Sequence, residues 1–128
     1  MLDSARAYLH ANRYPTHIVE GGLEYLLAGW DSVARSVAAG EVQFQDDYLN
    51  DADGRHILAE MLPDLSPEQR ELAAARLAAA DATIRPHLTP TRECLWGTEN
   101  ERRHGYRRGA HWWYYHRPRV VDESWRDL

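Results

Sequence analysis

The stretch 19-VEGGLEYLLAGWDSVARSV-37 decides the fold class. In it Val19, Leu23, Leu26, Trp30, Val33 and Val37 recur at steps of 4, 3, 4, 3 and 4, thickened by Leu27 and Ala34. At 3.6 residues per turn these positions form one apolar stripe, so the stretch predicts an amphipathic helix. Gly21-Gly22 delays its expected start, and Gly40 supplies a stop.

Working outward, residues 2–12 predict a short helix with Ala5, Tyr8 and Leu9 on one side, broken by Tyr14-Pro15-Thr16. A third helix, capped by Asp46 or Asp47, carries Tyr48, Leu49, Ile57, Leu58, Met61 and Leu62 and ends at Pro63; Gly54 threatens to divide it. Ser66-Pro67-Glu68-Gln69 opens a fourth, with Ser66 as N-cap, Pro67 in the first helical position and Gln69 closing a capping box. Its stripe is Ala73, Leu77, Ala80 and Ile84, reaching towards Leu88. Alanines allow a close approach to another helix, in the same chain or in a second copy, so a homo-oligomer stays open. Pro86 and Pro90 end this helix.

After Pro90 the texture changes. Glu93-Cys94-Leu95-Trp96 and His111-Trp112-Trp113-Tyr114-Tyr115-His116 predict two strands, because aromatic residues favour extended chain, joined by a polar loop over 97–109. Pro118 ends the second strand, and Trp125 is expected to dock back. The expected architecture is mainly α: a single domain over 1–128, with a four-helix body at about 2–88 and a small C-terminal β-hairpin and tail at about 92–128.

A chain of 128 residues with 44% apolar content suits one core. The lone Cys94 excludes an internal disulfide and leads us to expect the cytoplasm. No run of about 18 apolar residues suggests a membrane span, and the N-terminus lacks a signal-peptide pattern. All fifteen basic residues are arginine, a bias expected of a GC-rich bacterial genome. Net charge is −5, unevenly spread: residues 1–64 hold four arginines and eleven acids, while residues 85–119 hold eight arginines and three acids. An acidic front and a basic end suggest faces with different partners, or charges that match each other within the fold.

Three clusters invite a chemical reading. Asp51-x-Asp53-Gly54, with Glu60, matches part of a calcium loop, but the first ligand position falls on Leu49, which cannot ligate. The same segment reads as an acidic contact face, or as a helix on which Asp51 and Arg55 pair at i, i+4. Cys94, His104, His111 and His116 are metal-ligand types without the spacing of any zinc template, so no metal is expected. Arg102-Arg103-His104-Gly105-Tyr106-Arg107-Arg108, followed by Trp112 to Tyr115, interleaves arginines with aromatics as single-stranded nucleic-acid binders do. Motifs for a nucleophilic serine, a phosphate loop, a zinc protease or a dinucleotide are missing, so no catalytic residue and no cofactor are assigned.

Tyr48-Leu49-Asn50-Asp51-x-Asp53-x-Arg55, Leu95-Trp96 and Trp112-Trp113-Tyr114-Tyr115-x-Arg117-Pro118 together resemble uncharacterised small bacterial helical proteins with an aromatic, Arg- and Pro-containing end, over about residues 18–120. In size, acidity and lack of catalytic motifs the chain also resembles toxin-neutralising immunity proteins. The acidic front half, the aromatic-rich end and the missing catalytic motifs point to a protein-binding module, most concretely an inhibitor or immunity-type protein, that docks a basic partner through Asp46, Asp47, Asn50, Asp51, Asp53, Arg55, Arg107, Trp113 and Tyr115. The alternatives are a nucleic-acid-associated protein using the arginine loop 102–108, and a metal-dependent enzyme using the acidic cluster 46–53.

Overall fold

Asp3 opens the chain's first helix by accepting the Arg6 backbone N–H at 2.8 Å. The computed structural model describes residues 2–125. Helix α1 spans Ser4–Ala11, and Tyr14-Pro15 turns the chain into α2, Thr16–Ala38. The expected stripe is buried from Leu23 to Val37. The glycine pair kinks the helix rather than delaying it: Gly22 has φ 65°, a conformation that costs other residues about 1–2 kcal/mol. The kink frees the Glu20 carbonyl, which accepts from the Arg6 guanidinium at 3.0 and 3.2 Å.

Helix α3 runs unbroken through Gly54 as Gln45–Met61. Phe44 occupies its N-cap position without a side-chain bond, so Asp46 and Asp47 lie in the first turn instead of capping it. There they favour the helix through its dipole. Helix α4 spans Pro67–Ile84, with Ser66 accepting the Gln69 N–H. Gln69 does not close the capping box. Its side-chain oxygen reaches α1 and accepts from Ser4 Oγ and from the Ala5 N–H at 2.9 Å. The stripe Ala73, Leu77, Ala80 and Ile84 is buried, and α4 packs chiefly against α2 of the same chain.

One carboxylate ties three helices together. Asp81 of α4 accepts from Trp30 Nε1 of α2 at 2.9 Å and from Arg55 of α3 at 3.1 and 2.9 Å. Asp51 and Arg55 therefore do not pair on the surface; Arg55 turns inward and is 8% exposed.

The C-terminal part forms the expected two-stranded antiparallel sheet, but its first strand comes from other residues and its second only from the end of the expected segment. Strand β1 is Leu88–Pro90 and β2 is His116–Pro118, with Leu88 opposite Pro118 and Pro90 opposite His116. Glu93–Trp96 is irregular, and Trp112–Tyr114 is a 3-10 turn. The reason is burial. A strand sends alternate side chains to opposite faces, whereas all four of Trp112, Trp113, Tyr114 and Tyr115 are buried. The predicted polar loop contains a short helix α5, Thr98–His104, flanked by Gly97 and Gly105 at positive φ. Its acids lie in the first turn and its cations in the last, as the dipole favours. Trp125 docks back, donating to the Gln43 carbonyl at 2.9 Å, beside a parallel bridge between Gln43 and Val121. Among the described residues no helix is long and apolar enough to cross a membrane.

Candidate functional site

The packing of α2 against α3 leaves an open cleft with two lobes that share Tyr14, Asp53 and Ile57. Tyr14 reaches it because Pro15 turns the chain at the α1–α2 corner. The larger lobe, about 520 Å³, is apolar, with walls from Ile18, Tyr25, Leu26 and Trp30 of α2 and an edge of Asn50 and Asp51 from α3. The smaller, about 420 Å³, is aromatic and polar, lined by His56, Trp96, Asn100, His104, Tyr106 and Tyr114. Both volumes suit a small ligand or an inserted side chain. Among the described residues no arginine lines either lobe.

The acidic start of α3 borders the apolar lobe. Asp46, Asp47 and Asn50 are exposed, and Asp51 is half-buried. Among the described residues none of Asp46, Asp47, Asp51 and Asp53 forms an ion pair. Burial, with a smaller contribution from the Asp47 charge, pushes the Asp51 carboxyl up to about 6. Like charges close together in partly dry surroundings resist ionisation, and an incoming cation would relieve that.

In the smaller lobe the polar groups bond to one another. Asp53 Oδ1 accepts from Trp96 Nε1 at 2.9 Å and from the Tyr114 hydroxyl at 2.7 Å. Asn100 Nδ2 donates to the Trp96 carbonyl at 3.0 Å. The Tyr106 and Tyr114 rings lie 4.6 Å apart. His56 Nε2 sits 3.0 Å from Glu60, yet burial outweighs that carboxylate and lowers the imidazole pKa, which favours its neutral form.

The residues expected to dock a partner separate into two groups. Asn50, Asp51 and Asp53 line the cleft, and Asp46 and Asp47 lie exposed in the first turn of the same helix without lining either lobe. The others do not join them. Trp113 and Tyr115, expected as exposed anchors, are each 3% exposed. Arg55 lies over the Trp113 ring at 4.4 Å and completes the core. Arg107 is exposed, but on the turn after α5, where its N–H donates to His111 Nδ1.

The arginine loop is likewise not an open stacking platform. Arg108 donates to the Thr91 and Arg92 carbonyls and lies over the Tyr115 ring at 4.9 Å. Base stacking needs free ring faces, and Trp112 to Tyr115 are buried against the helices. The calcium-like segment is helical, so its carboxylates cannot wrap an ion as a loop does. Among the described residues no group of three or more His, Cys, Asp or Glu side chains is placed to hold a metal. Cys94 is buried, which pushes its thiol pKa up and makes it a poor nucleophile.

Sequence reasoning missed Tyr14, Tyr25, Trp96, Tyr106 and Tyr114 as cleft residues. Tyr25 offered a signal: it falls outside the apolar stripe of α2 and is 52% exposed. Trp96 offered another, a tryptophan directly before a glycine that starts a helix. No protein-family model, curated protein or solved structure matches the chain.

Proposed function

We propose that the protein is a protein-binding module of the inhibitor or immunity type, which docks a basic protein partner across the start of α3 and the apolar lobe beside it. The observation that carries this reading is an acidic first half of α3, whose Asp46, Asp47 and Asp51 form no ion pair among the described residues, running into an apolar lobe edged by Asn50 and Asp51. Asp46 and Asp47 supply long-range attraction that speeds encounter. The lobe walled by Ile18, Tyr25 and Leu26 supplies a pocket for an anchoring side chain, which is where binding energy concentrates. Half-buried Asp51 meets the partner's cation where water screens it least.

The test is affinity capture at low salt from a lysate of the source organism. Wild-type protein is compared with the Asp46→Lys/Asp47→Lys variant, whose altered side chains are exposed. The reading expects a basic protein held by wild type, released by added salt and lost by the variant. Equal retention by both would overturn it.

A further inference from the structure

The aromatic lobe of the cleft raises a separate question, because an acidic protein-docking edge does not require it. Its lining includes Tyr14, Trp96 and Tyr106, the buried Tyr114, the imidazoles of His56 and His104, and one carboxylate, Asp53. We infer that this lobe binds a small molecule bearing a methylated or quaternary ammonium group.

A primary ammonium is strongly hydrated and needs acceptors to replace its water. Trp96 and Tyr114 both donate to Asp53 Oδ1, so that oxygen is already engaged. The lobe sets a carboxylate beside aromatic side chains. A cation with methyl groups in place of N–H asks for both: its charge is attracted to the rings and the carboxylate, and its methyls are better off out of water. An anionic ligand would meet the Asp53 carboxylate, and among the described residues no arginine lines the lobe to offset it. The hydrogen bonds to Asp53 also hold the Trp96 and Tyr114 side chains in place, so the walls are set before the ligand arrives.

The experiment titrates the full chain with choline, with its uncharged isostere 3,3-dimethylbutan-1-ol, and with ethanolamine, following tryptophan fluorescence. The inference expects choline to bind at least about tenfold more tightly than either of the others, since several rings act on one cation. Trp96→Ala should weaken choline by about fivefold or more, and Trp96→Phe should restore much of it. Asp53→Asn keeps an oxygen for both donors but removes the charge, so it should weaken choline and leave the uncharged isostere unaffected. Equal binding of choline and the isostere would overturn the inference by making the lobe merely apolar. Ethanolamine matching choline would overturn it by showing recognition through hydrogen bonds. Absence of choline binding at tens of millimolar ligand would overturn it outright.

Discussion

The acidic start of α3 and the aromatic segment 106–118 looked alike as recognition surfaces, and the fold treats them in opposite ways. The carboxylates of Asp46 and Asp47 are exposed and form no ion pair among the described residues. The aromatic segment has turned inward, and arginines lie over its rings: Arg55 over Trp113, Arg85 over Trp112 and Arg108 over Tyr115. Arginine's flat, weakly hydrated guanidinium suits such stacking. Arg85 and Arg108 thus make part of the C-terminal basic excess a packing material, while Asp46 and Asp47 of the acidic front half are exposed. Charge counts alone do not separate these uses; burial does.

That contrast fails if changes in the two regions have similar effects on stability. The largest effect should come from Arg55→Ala, which leaves Asp81 half-paired in a dry site and uncovers Trp113. We expect a loss of about 3–5 kcal/mol in urea unfolding. Arg108→Ala removes bonds to two carbonyls and the cover of Tyr115, and should cost about 1–2 kcal/mol. Asp51→Asn should act with the opposite sign. The folded chain holds the Asp51 proton up to about pH 6, whereas the ordinary value is 3.8. Stability therefore falls as pH rises between those values, and ionised Asp51 is a burden at neutral pH. Allowing for solvent on its open side, asparagine should stabilise by about 1 kcal/mol at pH 7 and by nothing near pH 4. The smallest effects belong to the exposed charges. Asp46→Asn and Arg107→Ala should each change stability by less than about 0.5 kcal/mol, measured by thermal unfolding, although only Asp46 should matter for a basic partner.

The helical body was readable because its pattern is local. The steps from Val19 to Val37, and the Ser66-Pro67 start, follow from helix geometry and capping whatever the rest of the chain does. The kink at Gly22 was half-readable: two glycines marked it, but the use of Arg6 to satisfy Glu20 depends on a neighbouring helix. The aromatic segment was not readable as a strand or a turn. Its conformation answers to tertiary demands, four large rings seeking the same core, which the local preference of Trp and Tyr for extended chain does not express. The site was legible in part for the same reason. Asn50, Asp51 and Asp53 stood out as a cluster, yet the tyrosines and Trp96 that wall the cleft come from four separate places in the chain. The inward turn of Arg55 needed knowledge of Asp81, twenty-six positions on.

The central claim is that the start of α3 and the adjoining apolar lobe receive a basic partner. Its most direct test is an amide-resolved NMR titration of isotope-labelled protein with a short arginine-rich peptide bearing one phenylalanine. We expect shifts confined to residues 46–53 and to Ile18, Tyr25 and Ile57, growing as pH rises through 6 and Asp51 ionises. Shifts centred on residues 102–108, or shifts that persist unchanged in the Asp46→Lys/Asp47→Lys variant, would contradict it.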